Sequence, residues 1–367
     1  MLRRNQCRKA NVRLNMELLH TESVFHLSIV GVISLCASIA VAEENIPQRG
    51  APENVSIERE YPVAETDLQW YDARRLRQVP VKIYYPVGDD GSLPVVLFSH
   101  GLGRSRFDCA YLGRHWASHG YFSVFVEHAG SDETVWRGKI QPIKNLKEAY
   151  EDPKNMRNRP LDMRFVLNNL VRLQRKHDPL AARLDLTRVG AAGFDWGAQT
   201  VLALAGQVLP GGFVAVDHRV SAVIAMSPPV SLGQVPLEVA YGGIEIPCLY
   251  MTGNEDDGII GTTKAYQRRL PFDYTFGADQ YLVTFQGADH MIYAGHIFRQ
   301  REMEKDARFQ PLIRDASTLF WDAYLQGKPE AIMALRGRGL NKLLGQNANV
   351  EKKIAASDNS YSVSRDP

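Results

Sequence analysis

The fold is decided by the stretch Val189-Gly190-Ala191-Ala192-Gly193-Phe194-Asp195-Trp196-Gly197-Ala198-Gln199-Thr200-Val201. Apolar residues before Gly193 predict a short buried strand, and the residues after Gly197 predict a helix. The two glycines permit a strained, tight turn in which the helix packs closely on the strand. Asp195 stands in that turn at a helix N-terminus, where backbone N–H groups favour negative charge. We therefore expect an ionised carboxylate that can act as a nucleophile; the alternative is an aspartate that only caps the helix.

Further strands are predicted on both sides of this turn, with amphipathic helices between them. Several are continuously apolar, as is typical of strands buried on both faces of a parallel sheet. Pro160 fits the first position of one of the intervening helices. The alternation predicts a single doubly wound α/β domain with a mostly parallel sheet, spanning residues 43–346. The predicted strands are Val79–Tyr85, Pro94–Ser99, Tyr121–Val126, Val189–Gly193, Ala222–Met226, Cys248–Thr252 and Gln280–Phe285.

The two ends of the chain predict segments outside this domain. A basic N-terminus precedes an apolar run from Val24 to Ala42, which ends in an A-x-A-like site. This pattern predicts a secretory signal peptide over residues 1–42, with Met16 as a possible true start, and hence a periplasmic or secreted protein. The competing interpretation is an uncleaved anchor helix, for which the run is barely long enough. The polar, Ser-rich end over residues 347–367 predicts a disordered tail.

The bulk composition excludes several classes of partner and cofactor. The 367 residues carry a formal net charge of +2, which indicates neither a nucleic-acid nor an anionic-membrane partner. No Cys/His cluster or phosphate-binding glycine loop points to a metal or an organic cofactor. Cys109 and Cys248 are expected to be buried thiols. A small-molecule substrate is therefore the expected partner, and after signal cleavage no stable membrane span is expected.

A base and an orienting acid are present downstream of Asp195, in the chain order that a catalytic triad on such a turn requires. The acidic turn after the strand at Cys248 offers Asp256 as the acid, with Asp257 and Glu255 as alternates. The loop after the last predicted strand offers His290 as the base, with His296 as a rival. Each signal is weak alone, because acidic turns and exposed loop histidines are common.

A glycine-bearing loop follows the strand Pro94–Ser99 and can supply an oxyanion hole. It reads His100-Gly101-Leu102-Gly103. We expect the backbone amides of Leu102 and Trp196 to be the donors, and His100, Gly101 and Arg104 to contact substrate. The alternatives are a plain tight turn and a solvated arginine. The segment Gly130–Asn158 is an irregular insertion that forms either a lid or substrate wall, or a solvated surface loop.

Motifs spread over most of the chain resemble those of a known group. They are Trp70–Arg75, Val79–Pro86, Phe98–Gly101, Arg159–Phe165, Met251–Gly253 and Gly287–Met291. The chain resembles the bacterial esterases similar to platelet-activating factor acetylhydrolase and dienelactone hydrolase, within the α/β-hydrolases. The resemblance implies a triad at Asp195, Asp256 and His290 and oxyanion donors at Leu102 and Trp196. Those esterases carry serine or cysteine at the position of Asp195.

The aspartate changes which reaction is easy. Attack of a carboxylate on an ester carbonyl gives a mixed anhydride and is uphill for alkyl esters, whereas attack on a saturated carbon gives an ester. The string Gly-x-Asp-Trp-Gly also resembles haloalkane dehalogenases and epoxide hydrolases, where the tryptophan contributes to the halide site. Their helical cap with paired tyrosines has no room between Ser227 and Ile246.

Three hypotheses follow from this conflict. The first is an exported hydrolase of small ester-like or lipid-derived substrates. The second is an Asp-nucleophile hydrolase of epoxides or carbon–halogen bonds. The third is a catalytically silent relative that binds a ligand or partner.

Overall fold

A nine-stranded mixed sheet forms the centre of the protein in this computed structural model, which describes residues 60–88, 91–296 and 300–355. Its spatial order is β1-β2-β4-β3-β5-β6-β7-β8-β9. The six strands from β4 to β8 in that order are parallel, whereas β1, β2 and β9 pair antiparallel with their neighbours. The strands are β1 (Val63–Asp72), β2 (Arg77–Pro86), β3 (Leu93–Ser99), β4 (Phe122–Val126), β5 (Leu184–Phe194), β6 (Val220–Met226), β7 (Cys248–Glu255), β8 (Gln280–Asp289) and β9 (Ala348–Lys353).

Helices cover both faces of this sheet. Side chains of a strand alternate between faces, so Val96 and Phe98 of β3 pack on one side, and Val95 and Leu97 on the other. This double burial explains why the central strands are apolar at every position. The helices are α1 (Ala110–Ser118), α2 (Pro142–Glu151), α3 (Pro153–Arg175), α4 (Trp196–Ala205), α5 (Leu237–Tyr241), α6 (Leu270–Asp273), α7 (Gln300–Tyr324), α8 (Pro329–Arg336) and α9 (Gly339–Leu344).

The structure confirms all seven predicted strands and the mostly parallel, doubly wound sheet. It adds β1 and β9, two edge strands whose many charged and polar residues gave no continuous apolar run. The predicted disordered tail is wrong for Ala348–Lys353, because this segment pairs along β8. The position predicted for Pro160 is also wrong: α3 begins at Pro153, capped by the Asp152 side chain, and Pro160 lies inside it.

Two further sequence predictions concern the burial of the thiols and the lack of a stable membrane span. Cys109 and Cys248 are free and buried, as expected. Among the described helices, none combines the length and apolarity that crossing a bilayer requires. The predicted signal peptide and the last residues of the tail lie outside the described residues.

Candidate active site

Four loops converge at the carboxyl edge of the parallel strands. Asp195 follows β5, the glycine-bearing loop follows β3, Asp256 follows β7 and His290 follows β8. In a parallel sheet the carboxyl ends of neighbouring strands share one edge, where open α/β sheets bind their ligands. The structure therefore brings together the three residues predicted to form a triad.

The backbone at Asp195 is strained. Its φ of 52° and ψ of −118° lie outside the regions that non-glycine residues normally adopt. Two glycines make the turn possible by close approach. A Cβ at Gly193 would overlap the carbonyl group of Gly197, and a Cβ at Gly197 would overlap the carbonyl oxygen of Ser99 on β3. The turn is thus built to present one side chain above the sheet edge.

We expect Gly197→Ala to lower the free energy of unfolding by about 3 kcal/mol, since its methyl group has no space beside the Ser99 carbonyl. Equilibrium unfolding in urea at neutral pH measures this loss. A stability equal to that of the parent protein would show that α4 does not pack on β3 as closely as described.

The carboxylate of Asp195 already uses the predicted oxyanion donor. The backbone N–H of Leu102 donates to Asp195 Oδ2 at 3.1 Å. Gly101 makes this approach possible, because a Cβ there would lie 3.3 Å from the Asp195 Cβ. Trp196, the second predicted donor, is the first residue of α4, so its N–H has no partner within the helix. The other carboxylate oxygen, Oδ1, lies 3.8 Å from His290 Nε2.

The histidine is oriented by Asp256. His290 Nδ1 lies 2.8 Å from Asp256 Oδ1, and this carboxylate is fully buried. With Nδ1–H donated to Asp256, Nε2 is the unprotonated nitrogen and faces Asp195. The hydroxyl of Ser227 lies 2.8 Å from both Asp256 Oδ1 and His290 Nδ1, and it fixes the pair further.

Two more side chains hold Asp256, and no sequence motif indicated either of them. The Arg268 guanidinium, 1% exposed, lies 3.0 Å from the Asp256 carboxylate. It also donates to the backbone carbonyls of Asp256 and Ser227. The Thr252 hydroxyl donates to Asp256 Oδ2 at 2.9 Å. A buried carboxylate needs such partners, because an unpaired buried charge is costly.

The alternates proposed for the acid and the base lie elsewhere. Glu255 and Asp257 are exposed, and they pair with Lys305 and Lys264. The His296 ring contacts two other carboxylates, Asp289 and Asp306. The geometry thus selects Asp256 and His290 as the partners of Asp195.

A cavity of about 250 Å³ opens above Asp195 and His290, and we call it the catalytic cavity. Gly101 and Arg104, predicted to contact substrate, line it, whereas the His100 side chain does not. The insertion Gly130–Asn158 forms part of the cavity wall, and it is not irregular as predicted, because α2 and the start of α3 lie within it. The residues that line the cavity include Trp136, Leu146 and Tyr150 from the insertion, and Ile259, Ile260 and Met291 from other loops.

His100 is buried beneath the loop and orients its peptide groups. His100 Nδ1 donates to the Gly101 carbonyl at 2.7 Å, and Nε2 accepts from the His128 N–H at 3.1 Å. In a trans peptide the N–H points away from the preceding carbonyl. By holding the Gly101 carbonyl, His100 therefore directs the Leu102 N–H toward Asp195.

A Ser-His-Asp array, separate from Asp195 and its partners, lies wholly inside the protein. Ser99 Oγ is 2.9 Å from His128 Nε2, and His128 Nδ1 is 3.1 Å from Asp162 Oδ2. All three are completely buried, so substrate does not reach them. The buried Arg159 donates to Ser99 Oγ and to the His100 carbonyl. The array ties α3 to the start of the glycine-bearing loop His100–Gly103 and positions that loop.

This interior predicts a pH dependence of stability. Burial lowers the pKa of His100 and His128 well below the ordinary value and that of His115 to about 3. Below pH 6.5 the histidines of the unfolded chain therefore bind protons that those of the folded chain do not. The free energy of unfolding decreases as the pH is lowered. Burial raises the pKa of Asp162 to about 6 and also raises the pKa values of Asp108 and Asp315, and these carboxyl groups oppose the trend at lower pH. We expect the urea midpoint to fall from pH 6.5 to pH 5; a constant or rising midpoint would contradict neutral buried histidines.

Metal chemistry has no donor set within the described ranges. No group of three or more histidine, cysteine or carboxylate side chains is placed there to hold an ion. Close to Asp195 the structure instead places the His290 imidazole, the Asp256 carboxylate behind it and the Leu102 backbone N–H.

Part of the chain matches the model of a known protein family. Residues 73–141 match the model of the family Platelet-activating factor acetylhydrolase, isoform II. No curated protein matches the chain. The matched segment contains β2, β3, β4 and the glycine-bearing loop, and it ends before Asp195. Together with the sheet topology, the match confirms the α/β-hydrolase fold and supports a hydrolase related to platelet-activating factor acetylhydrolases.

Proposed function

We propose that this chain is a hydrolase that works through a covalent ester of Asp195 formed at a saturated carbon, with a small epoxide as substrate. The hydrogen bond from the Leu102 N–H to Asp195 Oδ2 carries this proposal. In ester hydrolysis by a serine, that donor stabilises the oxyanion formed from the substrate carbonyl. Here the nucleophile's own oxygen occupies it, so a substrate oxyanion would have to compete for the donor.

Attack on a saturated carbon removes this conflict. Asp195 Oδ1 attacks an epoxide carbon, the carbon–oxygen bond of the ring breaks, and its electrons go to the ring oxygen. The Tyr150 phenol lines the same cavity. Burial, and secondarily the charge of Asp195, raise the pKa of Tyr150, so the phenol stays protonated at neutral pH and can donate its proton to the ring oxygen.

The second step uses the rest of the site. Water attacks Cγ of the aspartyl ester while His290 Nε2 takes its proton, and Asp256 stabilises the resulting imidazolium. The negative charge develops on Asp195 Oδ2, which the Leu102 N–H already contacts. Collapse breaks the bond from Cγ to Oδ1, His290 protonates the departing alkoxide, and the new carboxylic acid returns a proton to the Tyr150 phenolate. The product is a diol.

The geometry favours an epoxide over a carbon–halogen bond. In haloalkane dehalogenases the tryptophan after the aspartate contributes to the halide site, but Trp196 of this chain lines a different cavity from Asp195. A tyrosine-bearing cap has no room between Ser227 and Ile246, but Tyr150 of α2 lines the catalytic cavity. A proton donor suits a ring oxygen, and a halide needs none.

Hydrolysis of a small ester-like or lipid-derived substrate is the second candidate, and the family match favours it. If the scaffold is an esterase with a changed nucleophile, Asp195→Ser should create activity on activated esters, since His290 and Asp256 are in place. No gain of activity in this variant would weaken the ester candidate. A silent relative that binds a ligand or partner would show turnover in neither form.

Single-turnover reaction in heavy-oxygen water separates these candidates. A covalent aspartyl ester hydrolysed at Cγ places the label in the Asp195 carboxylate, and the first product stays unlabelled. Mass spectrometry of the peptide that contains Asp195 detects this label. Label in the first product alone, with turnover retained in Asp195→Ala, would refute the aspartyl-ester mechanism.

We further propose that the protein is exported, from the apolar run Val24–Ala42 and the basic residues before it. Expression with the native N-terminus should yield a mature chain that begins after Ala42 and lies outside the cytoplasm. An intact N-terminus in the cytoplasmic fraction would contradict export.

A further inference from the structure

A second cavity of about 260 Å³, here called the distal cavity, adjoins the catalytic cavity. Tyr150 lines both cavities, and its ring packs against that of Trp196 with centroids 5.3 Å apart. This aromatic pair forms the wall between them. The distal cavity therefore lies directly beside the place where substrate meets Asp195.

The distal cavity is lined by apolar side chains together with the polar residues Gln199, Ser231 and Gln234, and of these three only Gln199 is buried. Gln199 lies three residues after Trp196 on α4, which puts both side chains on the same helix face. It is 6% exposed and lines the cavity. Its side-chain amide has no hydrogen-bond partner among the described residues. Its amide atoms are not sealed from solvent, so they are available to a ligand group that enters the cavity.

Charge limits what that ligand group can be. Glu151 is the only charged residue that lines the cavity in the described part of the chain, and it is exposed. Because no basic residue lines the cavity, an anion would be repelled by Glu151 and would have no cationic partner. The Gln199 amide offers one acceptor and one donor group in a plane, which a second amide complements with its N–H and its carbonyl.

We propose that the distal cavity is a binding site for an uncharged amide-bearing group on a short apolar chain. Gln199 pairs with the amide, while Trp196, Met156 and the surrounding prolines contact the chain. This site holds the non-reacting end of the substrate while the epoxide lies at Asp195, and this part of the proposal rests on the proposed hydrolase function. Amide binding itself does not depend on turnover.

Fluorine NMR with a matched pair of probes tests the site on the intact protein. One probe is N-trifluoroethylacetamide, and the other is the methyl ketone in which a CH₂ group replaces the N–H. We expect the amide to bind at millimolar concentration and more tightly than the ketone. Gln199→Leu should raise the dissociation constant of the amide probe roughly tenfold and leave that of the ketone probe unchanged. Leu146→Ala, which alters only the catalytic cavity, should leave both unchanged.

Four results would overturn the proposal. They are no amide binding, equal binding of the two probes, amide binding unaffected by Gln199→Leu, and an equal loss in Leu146→Ala. Thermal unfolding adds a check on folding: an unpartnered amide predicts that Gln199→Leu melts no lower than the parent, and a lower melting temperature would show a partner within the fold. If the heavy-oxygen experiment places no label in Asp195 but the amide still binds, the proposed hydrolase mechanism is rejected and the proposed amide site stands.

Discussion

Replacing Asp195 with asparagine is expected to lower turnover of a small epoxide by at least about a thousandfold. The asparagine amide has nearly the same shape, and its oxygen can keep the hydrogen bond from the Leu102 N–H. Its nitrogen is not a nucleophile, so the first bond to substrate does not form. Steady-state kcat and KM, measured beside the parent protein, should show the loss in kcat.

Two further measurements on the asparagine variant test the assignment of Asp195 as the nucleophile. Asparagine tolerates positive φ better than most residues, so the strained turn and the melting temperature should be preserved. Activity that returns slowly, together with the mass change of deamidation, would identify restored aspartate and support the assignment. Turnover close to that of the parent from the start would mean that Asp195 is not the nucleophile.

Replacing His290 with glutamine is expected to stop the reaction halfway. The first step needs Asp195 and the Tyr150 proton, whereas the second needs a base for water. The variant should therefore form the aspartyl ester and accumulate it, with steady-state turnover reduced by at least about a thousandfold. Mass spectrometry should find the substrate mass added to the peptide that contains Asp195.

The matched control for this variant is His296→Gln. His296 lies on the same stretch of chain, but its ring contacts Asp289 and Asp306 rather than Asp195. We expect it to keep turnover and to show no adduct. Equal losses in the two histidine variants, or an adduct in neither, would remove His290 from the proposed second step.

The fold was largely predictable because local signals agreed. Continuous apolar runs such as Pro94–Ser99 and Cys248–Thr252 predicted strands buried on both faces, and each is one in the structure. The same reasoning failed at β9, whose run of charged residues resembles a tail until β8 provides its hydrogen-bond partners. Pro160 misplaced the start of α3, because one proline inside a long, packed helix is tolerated despite its local cost.

The candidate site was predictable only in part. Chain order identified Asp195, Asp256 and His290, since each follows a strand and all parallel strands end at one edge. It did not identify Arg268, Ser227 or Tyr150, because these side chains reach the site from loops and helices whose sequences carry no motif.

The sequence alone determined the α/β architecture, the turn that presents Asp195 and the order of its partners, because these depend on local periodicity and on glycines next to one another in the chain. Only the tertiary structure decided that Leu102 donates to Asp195 Oδ2 and that Trp196 faces a second cavity. Those facts depend on the relative positions of β3, α2 and α4, which are set by packing between segments far apart in sequence. The proposed chemistry thus depends on the contact between Asp195 Oδ2 and the Leu102 N–H. No pattern of residue types could have revealed this contact.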